Sequence, residues 1–372
     1  MSQSSLPNTP VVVWDLPLRV FHWLLVATVA FALFTGLVAP HSSLPFHRGA
    51  GYAVVALLVF RFVWAAYGSA TSRLSSLAFT PAEVVGHFRD LARGTPRPFP
   101  GHNPAGAAMV VVAAALLGTL VATGLLAEGG EEKLGPLAGI TSYTVGHAAK
   151  SVHGVLVYPL IALILGHVIG VLAESRLTGE NLILAMISGR KTVVVGAPRP
   201  AQTPPLWRAA IRAWGAVVGA AALVLIALDR LPPYGVPAYA PDSAHARECG
   251  ACHWNYHPAL LPAASWAAIL ASLDDHFGED ASLPPAYAAD IGAFLAAYSA
   301  ERWDTEVGNR FRHVAPGEPQ RVTRVPAWVR RHAALPEALF ARPDVGGKGN
   351  CTACHGDAAT GRFDDSAIRV PQ

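Results

Sequence analysis

The chain has 372 residues, of which 52% are hydrophobic and only 14% are charged. An ordinary soluble protein carries roughly 25% charged residues, so the composition favours a protein with a membrane domain. The formal net charge is +3 with histidine neutral, which is too small to indicate a nucleic-acid partner. The length allows roughly two or three domains.

Five apolar segments are long enough to cross a bilayer, which takes roughly 20 residues of helix. They lie at about residues 18–38, 49–67, 105–127, 145–172 and 207–228. The first segment lacks the basic flank and the small-residue cleavage site of a signal peptide, so we interpret it as a retained span.

Basic residues are concentrated in alternate loops. The loops after the second and fourth spans are rich in arginine, whereas the loop after the third carries Glu128, Glu131 and Glu132 against Lys133. The positive-inside rule therefore predicts a cytoplasmic N-terminus in the bacterial inner membrane. Five spans would then place everything after Leu228 in the periplasm.

The tail begins with a proline-rich linker. It contains two amphipathic segments that favour helix, at about residues 262–273 and 285–300. The rest is punctuated by proline and glycine, which predicts a small, mostly helical, loop-rich domain with a poor core of its own.

All four cysteines lie in two Cys-x-x-Cys-His motifs, one made by Cys249, Cys252 and His253 and the other by Cys351, Cys354 and His355. This motif is the attachment signature of c-type haem, in which both cysteines bind the macrocycle and the histidine is the proximal ligand. A zinc site leaves the histidine after each pair unexplained. A thioredoxin-like pair requires an α/β context that is absent. Disulfides are a further alternative. We expect two covalent c haems.

The distal ligands of these haems are sought among the other histidines of the tail, which are His245, His257, His276, His313 and His332. His276 follows a segment that can fold back over the first motif, and His332 precedes the second motif at a loop-closing distance. His257 starts on the proximal side of its own motif, so it is a poor distal ligand there, although it could still reach the other haem. We therefore expect His276 and His332 to be the distal ligands, with His313 as a rival. The tail contains no methionine, which excludes methionine as a ligand from that region.

Four histidines lie at the ends of the first, second and fourth spans, and an ionisable residue in a span indicates a functional site. His153 and His167 are 14 residues apart in the fourth span, which is about four helical turns, roughly 21 Å, and nearly one face. His147 falls on the opposite face. Depth alone pairs His47 with His153, and His22 with His167, as axial ligands of two b haems stacked across the membrane.

Small and basic residues accompany these histidines. Glycines in the spans leave room for a flat macrocycle, although small residues also simply allow close helix packing; they are Gly36, Gly51, Gly154, Gly166 and Gly170. Arg19, Arg48 and Arg61 would either neutralise haem propionates or extend to lipid head groups. We expect His41, His87 and His102 to be solvated loop residues; the first lies between spans and the others in connecting loops.

The first part of the chain resembles a known family. The stretches "VWDLPLRVFHWLLVATVAFALFTG", "HRGAGYAVVALLVFRFVW", "GHNPAGAAMVVVAAALLG" and "GENLILAMISGRK" resemble the bacterial cytochrome b561 family, which includes the b-type subunits of nickel-iron hydrogenases. The resemblance implies a four-helix bundle with two b haems, whose ligand pattern falls on His22, His47, His153 and His167. Members exchange electrons with membrane quinones or with a dehydrogenase partner.

The tail resembles a second family. The stretch that begins "CGACHWNYHPALLPAASWAAILASLDDHFGEDASL" and the ending "CTACHGDAATGRFDDSAIRVP" resemble the bacterial dihaem cytochrome c domain. The resemblance implies two low-spin bis-histidine haems and a periplasmic redox partner, in some cases a small oxygen-binding cytochrome. We expect an all-α protein in three parts: a membrane domain at 10–191, a loop, fifth helix and linker at 192–245, and a dihaem domain at 246–372.

The expected function is electron transfer across the membrane, from quinol or a dehydrogenase partner through two b haems and two c haems to a periplasmic acceptor. Alternatives are an anchoring cytochrome subunit of a hydrogenase or dehydrogenase, and an enzyme that oxidises superoxide or reduces oxygen or a metal ion at an outer haem. A sensor is disfavoured because no effector domain is visible. Membrane lipid and the quinone pool are the expected surroundings, and the sequence leaves open whether the chain forms a homodimer.

Overall fold

The structure, a computed structural model, describes residues 9–97, 99, 101–193 and 204–371. The fold is all-α apart from one short two-stranded sheet in this part of the chain. The helices and strands, in chain order, are β1 (Thr9–Val12), α1 (Leu16–Leu37), α2 (Leu44–Tyr67), α3 (Pro81–Ala92), α4 (Pro104–Gly130), α5 (Tyr143–Thr178), α6 (Leu182–Ser188), β2 (Arg190–Val193), α7 (Trp207–Asp229), α8 (Ser243–Cys249), α9 (Ala263–Leu270), α10 (Pro285–Ala297), α11 (Glu306–Phe311), α12 (Pro326–His332) and α13 (Glu337–Phe340).

Five of the described helices are long and apolar enough to cross a membrane: α1, α2, α4, α5 and α7. They coincide with the five expected spans and extend several of them by a few residues. Large apolar side chains such as Phe34, Val155 and Ile169 are exposed on them. Such a surface requires an apolar solvent, so these helices are built to face lipid.

The chain divides into two compact units. The first comprises Met1–Val38, Phe46–Gly124 and Ser151–Leu225, and the second comprises Ala39–Pro45, Leu125–Lys150 and Ile226–Gln372. The segment from Leu125 to Lys150, which contains the loop between α4 and α5, is therefore part of the C-terminal unit.

Asp15 begins α1 and ties it to the end of α2. Its side chain caps the helix by accepting a hydrogen bond from the Leu18 N–H at 2.9 Å, and it also accepts from the Trp64 indole at 3.1 Å and the Ser72 hydroxyl at 2.8 Å. Burial raises the pKa of Asp15, but the hydrogen bonds from Ser69, Leu18, Ser72 and Trp64 together bring it below its usual value. The ionised Asp15 carboxylate thus caps α1 and holds the start of this helix against Trp64 and Ser72.

The sheet of the first unit joins two segments that are far apart in the sequence. β1 pairs antiparallel with β2, so that Thr9 lies opposite Val193 and Val12 opposite Arg190. Between α6 and β2, Gly189 adopts φ +80°, a conformation that ends the helix and that glycine adopts without strain. The expected all-α fold did not include this sheet.

Within the first unit the helices pack through a small aliphatic core. Val29, Val54, Leu58, Leu120 and Leu160 form its centre. Through this core, helices α1, α2, α4 and α5 come into contact. Pro159 lies inside α5 and removes one backbone N–H from the helix.

The C-terminal unit has a core of its own, contrary to the expectation from its proline and glycine content. Leu260, Leu261, Ile291, Leu295 and Trp303 are each at most 2% exposed and form one cluster. The expected amphipathic segments are α9 and α10, and α10 supplies Ile291 and Leu295. Tryptophans bury large areas each, so a short chain with several of them fills a core without long helices.

Candidate haem-binding sites

The first histidine pair of the membrane helices joins α1 to α5. The ring centroids of His22 and His167 lie 6.5 Å apart, with the ring planes inclined by 57°. Two imidazole nitrogens bound about 2 Å from one metal ion place their ring centroids at about this separation. The Nδ1 atom of His22 is buried without a hydrogen-bond partner. The two residues fit a bis-histidine iron centre.

The second pair joins α2 to α5. The ring centroids of His47 and His153 lie 6.1 Å apart, with the planes inclined by 83°. Nδ1 of His47 lies 3.0 Å from the Ala32 carbonyl, and Nδ1 of His153 lies 2.8 Å from the Leu120 carbonyl. Because a carbonyl oxygen only accepts, each Nδ1 carries the proton and each Nε2 keeps its lone pair. Metal-binding histidines are commonly oriented in this way.

Two glycines make room for the rings of this second pair. A Cβ at Gly36 would lie 2.9 Å from Cε1 of His47, and a Cβ at Gly124 would lie 3.3 Å from Cε1 of His153. A Cβ at Gly51, Gly154, Gly166 or Gly170 would meet no atom within 4 Å. Gly36 and Gly124 therefore accommodate histidine rings directly, and Gly124 was not predicted from the sequence.

The first pair of the C-terminal unit lies beside the first cysteine motif. The ring centroids of His253 and His276 are 6.2 Å apart and the rings are inclined by 32°. Nδ1 of His253 donates to the Trp254 carbonyl at 2.8 Å, which leaves Nε2 available to a metal. Burial and the neighbouring His253 lower the pKa of His276. The neutral imidazole is the form that binds iron.

The second pair lies beside the second motif. The ring centroids of His332 and His355 are 6.2 Å apart. The Trp328 ring stacks on His332 at 4.3 Å, and the Trp328 carbonyl accepts a hydrogen bond from Nδ1 of His332 at 2.8 Å. Burial and then the neighbouring His332 lower the pKa of His355. One tryptophan thus fixes both the rotation and the tautomer of the expected distal ligand.

All four cysteines lie in the described part of the chain, and all four are free thiols. Burial raises the pKa of Cys351 to about 12 and also raises the pKa of Cys249. Each motif therefore presents two free thiols next to its histidine, as covalent attachment of a macrocycle requires.

The rival histidines of the tail lie elsewhere in the C-terminal unit. His257 is 2% exposed and packs on Tyr239 and Trp303, with ring centroids 4.4 and 4.9 Å away. Burial and the nearby His245 lower its pKa to about 4. His245 is also buried and packs on Phe294, whereas His313 is exposed. His257 thus belongs to the aromatic core that surrounds Trp303.

Several polar side chains near α3 are buried or half-buried, which was not expected from the sequence. His87 is only 4% exposed, and His102 packs on Trp14 at 4.6 Å, so both expectations of a solvated residue were wrong. Burial, and then Arg61 and Lys191, lower the pKa of His102 to about 4. Arg61 is buried as well and donates to the Ser72 carbonyl at 3.1 Å rather than extending to solvent. The side chain of His41 lies outside the described ones.

The comparisons with known families decide what kind of protein carries these pairs. The sequence model described as prokaryotic cytochrome b561 matches residues 13–189, and the one described as dihaem cytochrome c matches residues 245–363. The chain is a cytochrome b561 fused to a dihaem cytochrome c. The first match contains the four histidines of the membrane helices, and the second contains both cysteine motifs.

Solved structures are similar to about a third of this fusion. One is DHC purified from Rhodobacter sphaeroides, which is 36% identical over 33% of this chain and 96% of its own, with a TM-score of 0.27. Another is a diheme c-type cytochrome from Shewanella baltica OS155, which is 32% identical over 35% of this chain and 92% of its own, with a TM-score of 0.28. No curated protein matches the chain.

The two families determine the class of protein. The cytochrome b561 part implies b-type haem, and the dihaem cytochrome c part implies c-type haem. With its five apolar helices the fusion is a multi-pass membrane protein. It is a transmembrane electron-transfer cytochrome.

Proposed function

We propose that this cytochrome takes electrons from quinol, or from a dehydrogenase partner, and delivers them to a soluble acceptor in the periplasm through two b haems and two c haems. Four histidine pairs with ring centroids 6.1 to 6.5 Å apart support the proposal, two in each part of the chain. Haem, when bound by such a pair, supplies one-electron redox chemistry.

In the membrane part, His22 with His167 and His47 with His153 would each hold one b haem. The carbonyls of Ala32 and Leu120 hold the second pair in the tautomer that leaves Nε2 free. The aliphatic core around Leu120 and Leu160 excludes water from the bundle, and a low dielectric there favours whichever oxidation state leaves less net charge.

In the C-terminal part, Cys249 and Cys252 would bind one haem covalently, and His253 and His276 would hold its iron. Cys351 and Cys354 would bind the other, with His332 and His355. With two histidines available to hold each haem, these sites would be suited to passing electrons rather than to binding a substrate.

The arginine-rich loops predict that the N-terminus and the loop containing α3 face the cytoplasm of a bacterial cell. The five described spans then carry the cysteine motifs into the periplasm. The fifth helix, α7, serves as the connection that leads the chain across the membrane.

The decisive test is a reduced alkaline pyridine spectrum of the purified protein, which distinguishes b haem from c haem and counts both. Two of each per chain are expected. Addition of a short-chain quinol should then reduce the c haems, and a His153→Leu variant should retain its c haems but lose their reduction by quinol. Two c haems and no b haem would overturn the proposal, and c haems that quinol leaves oxidised would favour an anchoring subunit.

A further inference from the structure

The loop between α4 and α5 carries a lysine in an unusual conformation. Lys133 has φ +55°, in the left-handed region that favours glycine. Its side chain is only 2% exposed, and burial lowers its pKa while Asp304 opposes that shift. Backbone strain of this kind persists where surrounding contacts over-determine the residue. The contacts made by the lysine side chain are therefore the feature to explain.

Lys133 is paired with a residue of the C-terminal domain, meaning the dihaem domain at 246–372, which belongs to the same compact unit as the loop. Its Nζ atom donates to Asp304 Oδ2 at 3.1 Å and to the Thr141 carbonyl at 3.0 Å. The same Oδ2 accepts the backbone N–H of Tyr143 at 2.8 Å. A buried ammonium group is tolerated only when it is paired and hydrogen-bonded, and here a single carboxylate joins the lysine to the first residue of α5.

Three further groups of contacts surround this pair. Arg362, which follows the second cysteine motif, donates from Nη2 to the carbonyls of Glu132 and Lys133 at 2.9 and 3.0 Å. Arg310 donates to the Tyr143 hydroxyl at 3.1 Å. The N–H of Tyr234, in the linker after α7, donates to the Ala138 carbonyl at 2.8 Å. Two segments of the C-terminal domain, one with Asp304 and Arg310 and the other with Arg362, therefore contact this loop, together with the linker at Tyr234.

We propose that residues 131–143 are a docking surface for the C-terminal domain of the same chain, and that the Lys133–Asp304 pair selects the docked position. Buried ion pairs are best attested as devices that fix register, because a wrong register leaves a charge unpaired. The proline-rich linker alone would leave the domain on a tether. With the docking surface, the domain is held on the loop within the same compact unit.

Hydrogen–deuterium exchange of the full-length protein in detergent tests the docking without measuring electron transfer. In the wild type, peptides covering residues 131–143 should be protected. Asp304→Asn removes the charge that compensates Lys133, and removal of one partner of a buried pair is strongly destabilising, so exchange should accelerate by at least about 100-fold. Asp344→Asn is the matched control, because Asp344 pairs with Arg342 at 2.7 Å on the exposed surface of the same domain.

The double variant Lys133→Met with Asp304→Asn makes the test specific to the pair. Once no buried charge is left unpaired, protection should return to within about 10-fold of the wild type, whereas each single variant stays exposed. Additive effects, or single variants whose loops remain protected, would overturn the proposal. Haem is counted in every variant. If Asp304→Asn lowers the c-haem content, Lys133→Met is used in its place as the single variant. Reduction by quinol is measured separately, so a failure of the proposed function leaves this result interpretable.

Discussion

Nδ1 of His153 donates a hydrogen bond to the backbone carbonyl of Leu120, 2.8 Å away in the neighbouring helix. This contact fixes the tautomer of the imidazole, and Nε2 of the same ring is left with its lone pair. The partner ring, that of His47, is held in the same way by the Ala32 carbonyl at 3.0 Å. Both rings are thus set for a metal before any metal binds, which reduces the reorganisation that binding requires.

Replacing His153 by leucine should remove one b haem and leave both c haems in place. The leucine fills similar volume but offers no lone pair, so the iron of that site would lose an axial ligand. The pyridine spectrum of the purified variant should fall from two b haems to one. His147→Gln is the control on the same helix, because the His147 side chain is 47% exposed and pairs with Glu131 at 3.4 Å. Full b-haem content in His153→Leu would refute the assignment.

Gly36 should be intolerant of a larger residue although it lies in a helix, where alanine is ordinarily preferred. Its hypothetical Cβ would lie 2.9 Å from Cε1 of His47, so Gly36→Val should displace the ring and lower b-haem occupancy or shift one b-haem midpoint potential. At Gly118 a Cβ meets nothing within 4 Å, so Gly118→Ala should keep both b haems and raise stability by about 0.5–1 kcal/mol. Potentiometric titration and haem quantification are carried out on both variants. If Gly36→Val and Gly118→Ala have the same b-haem content and midpoint potentials, Gly36 does not make room for the His47 ring.

The two cysteine motifs should be independent. Changing Cys249 and Cys252 to serine should leave one covalent haem, attached at Cys351 and Cys354, because each motif holds its own pair of thiols and its own histidine pair. Mass spectrometry of the denatured protein would show the loss of one haem mass. The complementary change at Cys351 and Cys354 is the control and should give the same mass. Survival of two covalent haems in either variant would exclude attachment at that motif.

Much of this architecture follows from sequence periodicity and spacing. Helix geometry brings His153 and His167 to nearly one face at different depths, and the structure places each opposite the histidine expected from depth, His47 and His22. The same holds for His276 and His332, which lie beside the histidines of the two motifs. These pairings depend on regular helices and on short loop closures, which local sequence specifies well.

Other contacts depend on segments that are distant in the chain, and local sequence gives no signal for them. The pairing of β1 with β2 joins Val12 to Arg190, and each strand is only 4 residues long. Lys133 reads as a lone base in an acidic loop, yet its partner is Asp304, far along the chain. His102 was expected to be a solvated loop residue, yet it is half-buried and packs on Trp14. Tertiary packing decides these positions.

Glu132 lies in a cluster of charges within the C-terminal unit. Burial raises its pKa to about 8, and Asp364, Asp365 and Glu131 add to the shift while Lys150 opposes it. Lys150 Nζ is also close to Glu131, at 3.3 Å, and to Asp365, at 3.6 Å, so one ammonium group is shared among several carboxylates. His147 faces Glu131 in the same cluster. A neutral Glu132 is therefore the form that the folded unit favours.

Stability linked to Glu132 should consequently fall as the pH rises. The unfolded glutamate has a pKa of about 4.3, so between that value and about 8 the folded state binds more protons than the unfolded state. The contribution is complete below pH ~4.3 and is lost progressively as the pH rises through about 8. Glu132→Gln mimics the neutral form, so the difference in thermal stability between variant and wild type should grow as the pH rises toward about 8 and level off above it. Glu337→Gln is the control, because the Glu337 side chain is 79% exposed. If thermal stability depends on pH in the same way in Glu132→Gln and in the wild type, Glu132 is ionised in the folded protein at neutral pH.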